Sequence, residues 1–150
     1  MRTPLWFLDT LAYVHVDSEA SGGTLALVES VAREGDMPPL HVHHREDEAF
    51  YVIDGRMTLF VAGREPVELG PGEGLLAPKG VPHVYRVESE RARWLVALTP
   101  AGFDEFVREV AEPAEHDDLP PDGRPHDIER VNAAAARQGI EILGPPGVTP

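Results

Sequence analysis

The chain reads as all-β, a barrel or sandwich of short strands, followed by two short helices. Three observations predict this. Residues 48 to 99 hold six short apolar runs: AFYVI, RMTLFV, PVEL, GLLAP, HVYRV and RWLVALT. Turn residues break them apart at Asp54-Gly55, Ala62-Gly63, Gly70-Pro71-Gly72 and Lys79-Gly80. A helical period appears only after Thr99. Many short strands at close spacing, punctuated by Gly and Pro, are the pattern of a closed or double-layered β fold.

Each element follows in order. Residues 11–18 (LAYVHVDS) and 24–33 (TLALVESVAR) alternate as strands, separated by the turn Ser21-Gly22-Gly23. The six runs then complete a barrel over about residues 24–99. Thr99 is the expected N-cap of a first helix, with Pro100 at its first position. In that segment, about 100–111, Phe103, Phe106, Val107 and Val110 fall at i, i+3, i+4 and i+7. Gly102 weakens the helix near its start. Residues 112–126 (EPAEHDDLPPDGRPH) are acidic and proline-rich, which predicts a loop. A second helix is predicted over about 127–138, with Gly139 at C′ and Ile140 as the apolar contact beyond it. The tail ILGPPGVTP cannot continue that helix. A length of 150 residues is enough for one domain with its own core, expected to span 1–150.

Composition narrows the function. Apolar residues make up 42% and charged residues 26%, as in a globular protein that dissolves in water. A net charge of -13 argues against nucleic acid and anionic lipid as partners. There is no cysteine, so any metal site must use nitrogen and oxygen ligands. The N-terminal stretch MRTPLWFLDT holds only a short apolar run, Leu5 to Leu8, before Asp9. It is too short for a signal segment or a membrane span, so a cytoplasmic protein is expected.

The stretch HVHHREDEAFYVIDG carries the chemistry. His41 and His43 are two apart, which on a strand places both rings on one face with Val42 on the other. Glu48 follows a polar turn and opens the next strand, sharing a face with Phe50 and Val52. His83, after the tight Pro78-Lys79-Gly80-Val81-Pro82 connection, offers a fourth ligand and shares its face with Tyr85 and Val87. Three imidazoles and one carboxylate suit a divalent first-row transition metal, namely Fe, Mn, Ni, Co, Cu or Zn, and suit Ca or Mg poorly. A polar HxH loop on its own is as often a solvated turn. A slip of one residue would exchange the faces and present His44 instead. His15 is expected to be structural or on the surface, and His116 and His126 have no assigned role.

The spacing tips the balance. The chain contains Gly35, His41, His43, Glu48 and Gly55 as G-x5-H-x-H-x4-E-x6-G, and Gly72, Pro78, Gly80 and His83 as G-x5-P-x-G-x2-H. Chance agreement at all of these positions in one register is on the order of 10^-12. Both stretches resemble the two motifs of the cupin superfamily. Further stretches, LTPAGFDEFVREVA and RQGIEILGPP among them, are similar to single-domain quercetin 2,3-dioxygenase-like cupins over roughly residues 24–145. The second motif departs at its end, with Val87 where the family usually has asparagine, a residue that is not normally a ligand.

The resemblance implies a cupin double-stranded β-helix, a jelly-roll-like barrel. It implies that His41, His43, Glu48 and His83 hold the metal, and that the glycines of the motifs serve turns. It implies a metal-dependent dioxygenase that oxidises an enolisable aromatic or polyphenolic small molecule with O2. Glu48 would then be catalytic, taking the proton of a substrate hydroxyl. Its ionised carboxylate is chemically suited to act as a base. Phe50, Val52, Met57, Leu59, Tyr85 and Trp94 are the candidates for a substrate pocket, although most of them fit an ordinary barrel core equally. Tyr85 stands out among them for its polar tip. Because one barrel hosts many chemistries, a metal-dependent isomerase or cyclase, or a plain small-molecule-binding cupin, is the alternative. A homodimer is expected, joined through sheet edges or exchanged N-terminal strands over residues 5–16.

Overall fold

The structure, a computed structural model, describes residues 2–150, so Met1 of the expected 1–150 domain lies outside the described residues. Its strands are β1 (Leu5–Phe7), β2 (Thr10–Val16), β3 (Ala26–Arg33), β4 (Pro39–His43), β5 (Asp47–Asp54), β6 (Met57–Val61), β7 (Val67–Leu69), β8 (Gly74–Ala77), β9 (His83–Val87) and β10 (Arg91–Thr99). Helix α1 (Phe103–Val110), strand β11 (Glu112–Pro113), helix α2 (Ile128–Arg137) and strand β12 (Ile140–Pro146) follow. The apolar runs of the sequence become β5 to β10. Two antiparallel sheets result, ordered β11-β1-β2-β3-β10-β5-β8 and β12-β4-β9-β6-β7. They face one another as the two layers of a jelly-roll-like barrel.

Alternation explains the layering. Along β5, Glu48, Phe50 and Val52 are buried, whereas Asp47, Ala49 and Tyr51 are exposed. Along β10, Ala92, Trp94, Val96 and Leu98 turn inward in the same way. The inward residues of the first sheet meet Met57, Leu59, Val61, Leu69 and Val87 of the second in one cluster. Full burial of each large apolar side chain contributes about 1.5–3 kcal/mol. That cluster is therefore the main force closing the two sheets on each other.

The C-terminal half departs from expectation at one place and goes beyond it at two. Thr99 does not cap α1. It is the last residue of β10, registered against Asp47 of β5, and Gly102 occupies the cap position instead. The helix therefore begins at Phe103 rather than near residue 100. The tail after Gly139 does not continue the helix, as expected, but forms β12, which pairs with β4 and places Ile140 opposite His43 and Ile142 opposite His41. The acidic loop carries the short strand β11 and then lies across the outer face of the first sheet. There it covers Trp6, Leu11, Tyr13 and Val31 with Ala114 and Leu119. The Trp6 indole N–H donates to the Asp118 carbonyl at 2.9 Å, and the Arg33 guanidinium donates to the Pro120 carbonyl at 2.6 Å. Within residues 5–16, the stretch considered for contact with a second copy, β1 pairs in the chain with β11 and β2, and β2 with β3.

The two helices pack at one end of the barrel. Phe106, Ala134, Ala135 and Ile140 form their shared core, flanked by Phe7, Phe103 and Ile142. This seats the start of α1 against β4, which matters for the site described next.

Candidate metal centre

Three strands bring the sequence-chosen residues together. His41 and His43 turn to one face of β4. His41 is registered directly against His83 of β9, and Glu48 projects inward from β5 in the facing sheet. One ligand atom from each of His41, His43, Glu48 and His83 falls within 4.8 Å of the others. Ring centroids lie 4.6 Å apart for His41 and His83 and 5.2 Å apart for His41 and His43. The rings of His43 and His83 are stacked at 5.5 Å. The Nε2 atoms of His43 and His83 approach the same carboxylate oxygen, Glu48 Oε2, at 3.2 and 2.9 Å.

The outward nitrogens explain why the rings face this way. His41 Nδ1–H donates to the Pro39 carbonyl at 2.7 Å, and His83 Nδ1–H donates to the Val81 carbonyl at 3.2 Å. A carbonyl can only accept, so these two rings must be protonated at Nδ1. His43 Nδ1 lies 3.2 Å from Glu46 Oε2. In all three histidines Nδ1 is tied to an oxygen of the protein, which is how imidazole ligands are oriented toward a metal. The donor set therefore fits a first-row transition metal by its chemistry and by its hydrogen bonding.

Burial and charge act strongly here. His43, Glu48 and His83 are almost fully buried, and His41 is the least buried of the four. Burial, helped by the neighbouring His83 and His43, lowers His41 to about 3. That imidazole is neutral at pH 7, as a ligand must be. Burial also disfavours charge on His43, but Glu48 and Glu46 outweigh it and raise this histidine to about 9. Burial pushes the Glu48 carboxyl up, yet His43 and His83 more than reverse this and hold it well below the usual carboxylate range. Glu48 is thus an ionised acid facing imidazoles.

The other candidates sort clearly. Phe50, Val52, Met57, Leu59 and Trp94 are at most 4% exposed and belong to the packed cluster between the sheets. Tyr85 is partly buried, stands edge-on to Trp94 with centroids 4.9 Å apart, and donates its hydroxyl to Asp36 Oδ2 at 2.8 Å. His44 is exposed and pairs with Glu141 at 2.7 Å, so the slipped register is not adopted. His15 pairs with Glu29 at 2.6 Å, His126 pairs with Asp9 at 3.0 Å, and His116 stands edge-on to Trp6. None of these three belongs to the cluster. The residue that sequence reasoning missed is Glu46, which is 1% exposed and turned toward His43. Its place in the all-polar turn HREDE hid it. The available signal was its position three residues after a ligand histidine, close enough to fold back on it.

Residues 28–98 match the family model of the Cupin_2 domain. The fold is the double-stranded β-helix of that family. The chain is similar to quercetin 2,3-dioxygenase of Bacillus subtilis, 26% identical over 137 residues. That alignment takes in 91% of this chain, which spans 40% of the length of that relative. Among solved structures, KdgF from Halomonas sp. superposes with a TM-score of 0.58 at 21% identity, over 65% of this chain and 85% of that one. The polyketide cyclase RemF from Streptomyces resistomycificus gives 0.53 at 24% identity, over 76% of this chain and 69% of that one. The R92A mutant of Bacillus subtilis oxalate decarboxylase gives 0.61 at 22%, over 74% and 30%. These likenesses establish the fold. Among the described residues no helix is long and apolar enough to cross a membrane.

Proposed function

We propose that this cupin is a metal-dependent dioxygenase of the quercetin 2,3-dioxygenase type, oxidising an enolisable aromatic or polyphenolic small molecule with O2. The observation that carries the reading is the convergence of His41, His43, Glu48 and His83. The similarity to a quercetin 2,3-dioxygenase across most of the chain supports it. In this reading His41, His43, Glu48 and His83 hold a divalent first-row metal. When bound, that ion supplies Lewis acidity and a redox-active centre for dioxygen chemistry.

The chain's own residues do the rest. Glu48 is held ionised by two imidazoles, so its carboxylate oxygen can accept the proton of a phenol or enol hydroxyl. The substrate approaches beside His41, the least buried of the four residues. Phe103, with its ring centroid 5.7 Å from that of His43, and Phe50, 6.1 Å from that of His83, are the aromatic rings packed against the ligands, and Tyr85, fixed by Asp36, is the polar-tipped candidate for substrate contact. Val52, Met57, Leu59 and Trp94 act from behind, as the packed wall that keeps water out.

Oxygen uptake tests the reading. Protein loaded in turn with Fe, Mn, Co, Ni, Cu and Zn should consume O2 with at least one flavonol or related polyphenol. Glu48→Gln should lower that rate by about 10²-fold or more, the usual loss for a general base. Undiminished turnover under strict anaerobiosis would move the assignment to a metal-dependent isomerase or cyclase. Silence with every metal and substrate in the panel would count against both.

A further inference from the structure

A carboxylate that is 1% exposed must have a reason to leave water. Glu46 sits in the turn between β4 and β5, with Arg45 and Asp47 on either side, and only its side chain and that of Glu48 turn in. One oxygen, Oε2, lies 3.2 Å from His43 Nδ1. The other, Oε1, faces the cap of α1. A Cβ on Gly102 would sit 3.3 Å from it, and the next residue, Phe103, stands edge-on to His43 at 5.7 Å. The carboxylate is therefore enclosed between the ring of His43 and the first residues of a helix. Negative charge at a helix start is also favourable there.

We propose that Glu46 is a positioning residue. It accepts the Nδ1–H of His43, fixes that ring's orientation and tautomer, and leaves Nε2 to face the metal centre. This rests on the metal-centre reading given above. His41 and His83 reach the same state through backbone carbonyls, at Pro39 and Val81. His43 has no backbone acceptor at Nδ1, and a side chain supplies the acceptor instead. The consequence differs in kind. A backbone carbonyl cannot be removed by substitution, whereas Glu46 can, so His43 is the one ligand whose aim is set by an exchangeable residue. A carboxylate also makes the imidazole a stronger ligand than a carbonyl does.

The test uses full-length protein with 15N-labelled histidine, loaded with Zn(II). Long-range 1H–15N spectra read each histidine's Nδ1–H, and chelator competition reads Zn(II) affinity. In Glu46→Leu the protected His43 Nδ1–H signal should vanish while those of His41 and His83 persist, and affinity should fall about 10- to 100-fold. Glu46→Gln keeps an amide oxygen that can accept. It should retain the His43 signal, moved upfield, with affinity within a few-fold of wild type. An unchanged His43 signal and unchanged affinity in both variants would overturn the proposal. So would loss of all three signals together with the melting transition in both, which marks a merely structural acid. If wild-type protein takes up no stoichiometric Zn(II), the metal reading fails by itself. The His43 Nδ1–H signal of metal-free protein then decides the Glu46 contact, and its survival in Glu46→Leu refutes it.

Discussion

Gly55 holds φ at +77° in the turn between β5 and β6. A Cβ there would lie 2.7 Å from Ala92 Cα and closer still to the Arg91 carbonyl. Both are backbone atoms of β10 and cannot swing aside. Gly55→Ala therefore combines left-handed strain, about 1–3 kcal/mol, with a collision inside a ladder. Urea denaturation should show a loss of more than about 2 kcal/mol, and a loss under 1 kcal/mol would mean that β10 yields easily. This glycine was legible in the sequence, because Asp-Gly between two apolar runs marks a turn. The four clustered residues were legible for a related reason. A spacing of two on a strand sets a face regardless of what lies opposite. Glu46 was not, since HREDE offers several acids in a row and no local rule says which one turns inward. That choice is made by His43 and Gly102, the latter more than fifty residues away.

Among the elements, α2 follows its local code closely. Asp127 caps it by accepting the Arg130 backbone N–H at 3.0 Å, Glu129 lies in the first turn and Arg137 in the last. Asp127→Ala should cost about 1 kcal/mol in thermal or chemical denaturation, the usual worth of a side-chain cap. An unchanged midpoint would show that packing of Ala134 and Ala135 alone sets this helix. Where a partner overrides local code, sequence reasoning fell short. Thr99-Pro100 has the residues of a helix start, yet the β10 ladder claims Thr99 for pairing with Asp47. The stretch ILGPPGVTP has three prolines and cannot continue a helix, yet its first five residues belong to β12 at the edge of its sheet, where proline is tolerated. Its partner is β4, about a hundred residues earlier, and the pairing sets Ile140 and Ile142 beside the histidine strand. No window along the chain contains that information.

At the scale of the whole molecule, connections that looked like spacers hold the barrel together. The 34–38 connection is tied to β9 at three points. The Gly35 N–H donates to the Val87 carbonyl, the Val87 N–H donates to the Asp36 carbonyl, and the Tyr85 hydroxyl donates to Asp36 Oδ2. Burial raises the Asp36 carboxyl to about 6. The Tyr85 hydroxyl opposes the rise, Asp9 adds to it, and Arg33 opposes it. The folded chain thus holds a proton that the unfolded chain releases near the ordinary aspartate value of about 4. Stability from this group is complete below that value and is lost as pH rises through about 6. Glu29 runs the other way. Burial pushes its carboxyl up, but Arg93 and His15 overcome that and lower it, so its contribution is lost as pH falls. Asparagine cannot titrate, so Asp36→Asn isolates the first effect. In denaturation curves taken between pH 4 and pH 7, the stability of Asp36→Asn relative to wild type should climb steadily and level off above about pH 7. A difference that stays flat across that interval would mean that Asp36 is ionised in the folded chain throughout, and that its bond to Tyr85 is charge-assisted rather than shared with a neutral acid.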